Sequence, residues 1–170
     1  MMNRGKVRYM HKYHLYSSSR LGWVKKPAKG CVFCGIAKGD RKVPEKTLYK
    51  GKDVIVVMNL YPYNTGHLQV FPVRHVEDFE ELSDNEIASL FSMVKKCVKF
   101  LKKVLNPAGF NIGLNIGSEA GGSVRHLHVH IVPRFPRDYG FMEMLAETKV
   151  MPESLDKTFE RLKKEAKMLE

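Results

Sequence analysis

The feature that most constrains this chain is the run His126–Arg134, in which three of the seven histidines alternate with branched apolar residues. Branched apolar residues favour β-strands, and consecutive strand side chains point to opposite faces. We therefore expect the apolar residues Leu127, Val129 and Ile131 to face a core. The other face should carry a row of imidazoles, roughly 6.5–7 Å apart, formed by His126, His128 and His130.

Composition indicates one folded domain. The chain has 170 residues, of which 44% are hydrophobic and 28% charged, and this is enough to bury a core. No apolar run approaches the roughly 20 residues that span a bilayer. The N-terminus lacks the apolar segment of a secretory signal. We expect a cytoplasmic protein without a membrane partner.

Most of the positive charge lies in a predicted N-terminal extension, residues 1–30. Eight of its residues are lysine or arginine and none is acidic, within a total net charge of +11. Tyrosines and one tryptophan are interleaved, so the arm can contact nucleic acid. We favour instead a basic arm that packs on a partner subunit or is solvated, and a transit peptide is a minor alternative. Residues 31–170 form the predicted domain.

Periodicity predicts an α+β fold, a mainly antiparallel sheet with one long helix packed on it and a C-terminal helix. The predicted strands are 47–49, 54–58, 67–73, 110–116 and the histidine strand. Ser83 and Glu86 form a capping box ahead of the long helix, and Pro107 ends it. Its lysines are interpreted as a solvated face. Its predicted apolar stripe is Ile87, Leu90, Phe91, Val94, Val98, Leu101 and Val104.

Cys31 and Cys34 are spaced as in many tetrahedral zinc sites. The setting lacks the strand-then-helix context of a thioredoxin-like redox motif. His75 directly follows a predicted strand, and His126 begins the histidine strand, so both can supply the remaining ligands. We infer a closed, structural zinc site of these four residues, which leaves His128 and His130 for chemistry. Cys97 lies in the long helix and is interpreted as a buried small residue.

The run His126–Val132 resembles the defining motif of the histidine triad (HIT) nucleotide hydrolases and transferases. The resemblance extends from about Cys31 to Met151 and includes Asn59, His67 and the Gly-rich loop that precedes the triad. It implies a HIT-like fold, zinc ligands matching the four residues above, and a homodimer. It also implies that the middle histidine, His128, attacks the α-phosphorus of a nucleotide and forms a nucleotidyl-histidine intermediate.

Within that family, the runs Gly109–Gly117 and Ala120–Ser123 resemble diadenosine tetraphosphate phosphorylases of mycobacterial type and relatives labelled hydrolases. Gly122 stands where the animal dinucleoside-polyphosphate hydrolases carry glutamine, and the phosphorylases have glycine then serine there. Phe135 stands where those phosphorylases carry tryptophan. The favoured substrate is therefore diadenosine tetraphosphate, with phosphate or water as the acceptor in the second step.

Other residues receive roles from the same reading. Phosphate charge should be stabilised by His130, the Ser123 hydroxyl and backbone N–H groups of Gly121 and Gly122. His67 is expected to orient His128 or contact the α-phosphate. Asn59 contacts ribose or forms a turn, and Asn115 contacts substrate or the loop backbone. Arg134 meets polyphosphate or forms a surface ion pair.

Two alternatives stay open beside this enzyme. One is a deadenylase that releases AMP from nucleic-acid ends or other AMP conjugates, for which the basic arm is the motive. The other is a zinc-stabilised nucleotide-binding module without turnover. The covalent route needs no metal, and a Mg²⁺ ion bound to the polyphosphate is compatible with it.

Overall fold

Five antiparallel strands form one sheet in the computed structural model, which describes residues 30–40, 42–43, 45–136, 138, 145 and 150–170. The order across the sheet is β1-β2-β3-β5-β4, so the histidine strand β5 pairs with β3 on one side and β4 on the other. The strands are β1 (Thr47–Lys50), β2 (Val54–Met58), β3 (Leu68–Pro72), β4 (Gly109–Leu114) and β5 (Val129–Arg134).

The described residues also form three α-helices: α1 (Val32–Lys38), α2 (Asp84–Leu105) and α3 (Leu155–Lys164). The predicted capping box of α2 is confirmed, because Ser83 accepts from the Glu86 N–H and Glu86 reaches back to the Ser83 N–H. Helix α2 ends at Leu105, which is two residues before Pro107. Asn106, between them, adopts the left-handed conformation. The predicted C-terminal helix is shorter, since a 3-10 turn, Ala166–Leu169, follows α3.

Helix α2 covers one face of the sheet and buries the apolar residues of the histidine strand, as predicted. Leu127, Val129 and Ile131 belong to one core cluster with α2 residues. The predicted stripe is wrong at Phe91, which is 41% exposed. Consecutive helix residues are about 100° apart around the axis, so the side chain of Phe91 points away from the buried face on which Leu90 lies. The buried residues of α2 are Leu90, Met93, Val94, Cys97, Phe100, Leu101 and Leu105.

The opposite face of the sheet carries the histidines and a smaller core. Helix α1 packs there, with Phe33 stacked on Phe71 at a ring-centroid distance of 4.2 Å. Ile36, Ile55 and Val57 complete this cluster. Helix α1 therefore lies beside the histidine row and forms part of its surroundings.

The histidine strand begins later than predicted. Strand β5 starts at Val129, so His126 and His128 precede it. The pairing with β3 begins at Val129, which faces Val70, while the Leu127 N–H donates to Val76 O at 2.6 Å. The segment before β5 therefore lies outside the strand pairing, and the His126 ring in it contacts the His75 ring at 5.0 Å between centroids.

Among the described helices, none is both long and apolar enough to cross a membrane. Residues 1–29 of the predicted basic extension lie outside the described residues.

Candidate active site and metal centre

Four side chains converge at the N-terminal end of α1: Cys31, Cys34, His75 and His126. Their ligand atoms all lie within 4.8 Å of one another. The His126 Nδ1 lies 3.3 Å from Cys31 Sγ and 3.7 Å from Cys34 Sγ, and His75 Nδ1 lies 3.3 Å from Cys34 Sγ. Tetrahedral zinc with ordinary Zn–S and Zn–N bonds places such atoms about 3.6 Å apart. The four residues can therefore hold a metal ion of this kind.

The outer nitrogens of both histidines have acceptors, as metal-binding imidazoles usually do. His126 Nε2 lies 2.9 Å from Pro72 O, and His75 Nε2 lies 3.4 Å from a carboxylate oxygen of Glu77. A proton on each Nε2 leaves the Nδ1 lone pair directed at the thiols. The tautomers that these hydrogen bonds favour are the ones that metal ligation requires.

His128 also has its tautomer set by the backbone. Its Nδ1 lies 2.8 Å from the carbonyl oxygen of His126, which can only accept, so Nδ1 carries the proton. The lone pair is consequently on Nε2, the nitrogen that remains for chemistry. His126 therefore connects the two sites: its ring belongs to the metal cluster, and its carbonyl group accepts the hydrogen bond from His128.

His67 contacts His130, not His128. The His67 Nδ1 accepts from the Tyr63 N–H at 3.1 Å, so its proton is on Nε2, which lies 2.9 Å from His130 Nδ1. His67 Nε2–H therefore donates to His130, whose own proton must be on Nε2. This chain of hydrogen bonds leaves an N–H group on His130 Nε2, and His130 and His128 line the same pocket. The ring centroids of His128 and His130 are 4.6 Å apart.

Burial keeps these imidazoles neutral. Desolvation lowers the pKa of His67 to about 3 and that of His130 to about 4, with smaller repulsive contributions from neighbouring histidines. Burial also lowers the pKa of His128. At neutral pH the site therefore offers one uncharged nucleophilic nitrogen and one uncharged N–H donor.

A pocket opens over His128 and His130. One wall is apolar and belongs to α1 and β2, and the other contains the Gly-rich loop and the segment after β2. Phe33 stands edge-on to His128 at 5.0 Å between ring centroids. The apolar wall is formed by Val32, Phe33, Ile36 and Val57, and the polar lining includes Asn59, Gln69, Asn115, Gly121 and Ser123. An apolar recess beside polar groups suits a planar base joined to phosphates.

The Gly-rich loop differs from the prediction in which donors it offers. The Gly121 N–H donates to Ser118 O at 3.0 Å, and the Gly122 N–H donates to Gly117 O at 2.9 Å. These two groups thus hold the loop together. Within the part of the chain that the structure describes, the N–H and hydroxyl of Ser123 have no hydrogen-bond partner, so they stay available to a phosphate oxygen. Gly122 is required sterically, because a Cβ atom there would lie 2.7 Å from Gly117 O.

Comparison with known proteins gives the family. Residues 40–137, more than half of the chain, match the family model described as the HIT domain. The chain belongs to the HIT domain family. The triad motif and the Gly-rich loop therefore carry the resemblance that the sequence indicated, and the antiparallel sheet with α2 is the HIT fold.

The curated HIT relatives of this chain include proteins with named activities. The chain is 48% identical over 110 residues to a protein from Mycobacterium tuberculosis named AP-4-A phosphorylase, a match covering 64% of this chain and 56% of that one. It is 36% identical over 97 residues to a Schizosaccharomyces pombe protein named bis(5'-nucleosyl)-tetraphosphatase (asymmetrical), covering 57% and 53%. The matches thus span little more than half of these relatives' length.

Solved HIT structures agree with the fold. A Zn-bound histidine triad family protein from Mycobacterium smegmatis superposes with a TM-score of 0.68 at 25% identity, covering 82% of this chain and 95% of that one. A histidine triad nucleotide-binding protein from Sulfolobus tokodaii superposes with a TM-score of 0.67 at 28% identity, covering 82% and 91%.

Of the three polar residues predicted to contact substrate, Asn59 and Arg134 have protein partners in this HIT domain. The Asn59 side chain accepts from the Tyr61 N–H at 3.0 Å and lies 3.3 Å from His67 Nδ1, so it also shapes its own loop. Arg134 forms an ion pair with Asp138 at 2.8 Å, which is the surface alternative. Asn115 lines the pocket next to the Gly-rich loop.

Sequence reasoning missed the residues that hold the loop after β2. Buried Asn64 donates to Pro133 O at 2.9 Å and lies 3.0 Å from both carboxylate oxygens of Asp138. Asp138 also accepts from the Phe135 N–H at 3.1 Å. The network joins residues that lie about 70 positions apart in the sequence, so no local pattern around Asn64 reveals it. The role of Phe33 was missed too, although it lies between the two cysteines.

Proposed function

We propose that this protein cleaves dinucleoside polyphosphates at the α-phosphate through a nucleotidyl intermediate on His128, with diadenosine tetraphosphate as the substrate. The observation that carries the proposal is the hydrogen bond from His128 Nδ1 to the His126 carbonyl oxygen. This hydrogen bond leaves a lone pair on His128 Nε2. The lone pair lies in a pocket that has an apolar wall and hydrogen-bond donors suited to phosphate oxygens. The phosphorylase and tetraphosphatase named among the relatives support the substrate class.

In the first step, His128 Nε2 forms a bond to the α-phosphorus while the bond from that phosphorus to the bridging oxygen breaks. The electron pair leaves with the polyphosphate. A polyphosphate is a stable anion at neutral pH, so its departure needs no protonated acid. This agrees with a site whose histidines are neutral, and it favours an anhydride over an ester as the substrate.

Charge that develops on the α-phosphate oxygens meets three donors. We assign them to His130 Nε2–H, the Ser123 hydroxyl and the Ser123 N–H, which face the same pocket as His128. His67 acts behind His130, because its Nε2–H holds the proton of His130 on the outer nitrogen. The glycines position the loop, and Asn59 and Asn115 line the ribose and phosphate region.

In the second step, an oxygen of water or inorganic phosphate attacks the same phosphorus. The bond to His128 breaks, its electron pair returns to Nε2, and the attacking group loses a proton to solvent. Splitting one displacement into two is the general advantage of a covalent route. With phosphate as the acceptor the nucleotide product is ADP, and with water it is AMP.

We also propose that the metal held by Cys31, Cys34, His75 and His126 is structural zinc. Such an ion ties α1, which carries the apolar wall, to the segment that carries His128. All four protein ligands are present, so no position is left for a substrate. The Zn-bound relative from M. smegmatis supports the choice of metal.

Product analysis tests the proposal. Diadenosine tetraphosphate is incubated with the protein, with and without inorganic phosphate, and the nucleotides are separated by chromatography. Phosphate-dependent ADP plus ATP identifies a phosphorylase, and AMP plus ATP without phosphate identifies a hydrolase. Absence of turnover under both conditions contradicts the proposal. The deadenylase alternative then predicts AMP release from adenylated nucleic-acid ends.

A further inference from the structure

The pocket is lined by an aromatic side chain, Tyr63, that has no role in the proposed reaction at His128. Tyr63 lies at the mouth of the pocket on the side of His130 and His67, and it is 60% exposed. An exposed aromatic ring at a site entrance is a surface to which a planar apolar group can bind. Tyr63 is also among the most exposed large apolar side chains of the described residues.

The ring of Tyr63 is held in place although it is exposed. It stacks on the His67 imidazole, with ring centroids 4.9 Å apart and planes inclined by 26°. The Tyr63 N–H donates to His67 Nδ1 at 3.1 Å. The next residue, Asn64, is 2% exposed and is anchored to Pro133 O. One face of the ring therefore covers His67, and its other face is presented to solvent with little freedom left to lose on binding.

The aromatic rings of the site follow one another in a row. Phe33 lies 5.0 Å from His128, His128 lies 4.6 Å from His130, and His130 lies 5.9 Å from Tyr63. The Phe33 end is closed, because α1 is packed there against the sheet. The Tyr63 end is open. A group expelled from a phosphorus beside His128 and His130 therefore leaves past Tyr63.

We infer that Tyr63 is the stacking platform for the second nucleobase of a dinucleoside polyphosphate, the base that departs with the leaving group. The inference rests on the proposed function and adds a specificity determinant to it. The first base occupies the apolar wall at Phe33, and the polyphosphate passes His130. A substrate with one nucleoside fills the first position and leaves Tyr63 uncovered, so this residue distinguishes dinucleoside from mononucleoside polyphosphates.

Equilibrium binding tests this inference with a matched pair of ligands. One is a diadenosine tetraphosphate analogue with a methylene group at each α,β bridge, and the other is the corresponding adenosine tetraphosphate analogue, which lacks the second adenosine. Calorimetry gives both dissociation constants for the wild type, Tyr63→Ala and Tyr63→Phe. Base–aromatic stacking contributes about 1–3 kcal/mol, so Tyr63→Ala should weaken dinucleotide binding about 5- to 150-fold.

The affinity of Tyr63→Ala for the mononucleoside analogue should stay within about twofold of wild type, and Tyr63→Phe should keep wild-type affinity for both ligands. Equal wild-type affinities for the two ligands would overturn the inference. So would an equal loss for both ligands in Tyr63→Ala, since that indicates an effect on His67. Because the analogues are not cleaved, the result is independent of whether His128 is the nucleophile.

Discussion

Acidification should destabilise this protein through two histidines that are buried in the neutral form. The pKa of His67 is about 3 and that of His130 about 4 in the folded chain, against about 6.5 in an unfolded one. At pH 5 the unfolded chain holds nearly one proton at each residue, whereas the folded chain holds almost none. As the pH falls from 7 to 5, the free energy of unfolding then falls by about 2 kcal/mol per residue, or about 4 kcal/mol together.

The sign follows from the direction of the shifts. Folding lowers both pKa values, so the stabilising effect is fully present above the unfolded pKa and is lost as the pH falls towards the folded values. Urea unfolding followed by circular dichroism at pH 7, 6 and 5 measures the effect. The control is the double variant His67→Gln, His130→Gln, in which the pH dependence should be weaker by about 4 kcal/mol. Any loss of metal at low pH is common to both proteins. An equal pH dependence in the two proteins would refute the reasoning.

Two further predictions concern packing and the metal. Gly66→Ala should lower the free energy of unfolding by about 3 kcal/mol, because its φ is +77° and a Cβ atom would lie 2.3 Å from Leu105 Cδ1. Gly113→Ala, where nothing lies within 4 Å of the added Cβ, should change it by less than about 0.5 kcal/mol, and equal effects in urea unfolding would count against this packing. Cys34→Ala should remove bound zinc and weaken AMP binding about tenfold, because α1 supplies Val32, Phe33 and Ile36 to the pocket. Metal analysis and calorimetry measure both quantities, and a metal-free variant with unchanged AMP affinity would contradict the link.

Much of the site follows from local patterns in the sequence. The alternation around His128 predicted which residues enter the core, because consecutive side chains of an extended chain point to opposite faces. The spacing of Cys31 and Cys34, with His75 and His126 at strand ends, brought together four ligands that the structure places in one cluster. Both inferences rest on residue types with few structural roles: branched apolar residues in alternation favour a strand, and closely spaced cysteines with histidines favour a metal site.

The remaining features depend on contacts between distant residues. The partner of His67 is His130 because the Tyr63 N–H occupies the other nitrogen of His67, and loop conformation decides this. The N–H groups of Gly121 and Gly122 are used inside their own loop, which composition cannot show. The expected homodimer and the role of the basic extension stay predictions.

The most direct test of the proposed mechanism is to detect the covalent intermediate. Wild-type protein and His128→Ala are mixed with diadenosine tetraphosphate, quenched in neutral denaturant, and analysed by intact-mass and peptide mass spectrometry. We predict an added adenylyl group on His128 of the wild type, and neither adduct nor turnover in His128→Ala, which should keep its circular dichroism spectrum and bound zinc. An adduct on another residue, or wild-type turnover by His128→Ala, would contradict the account.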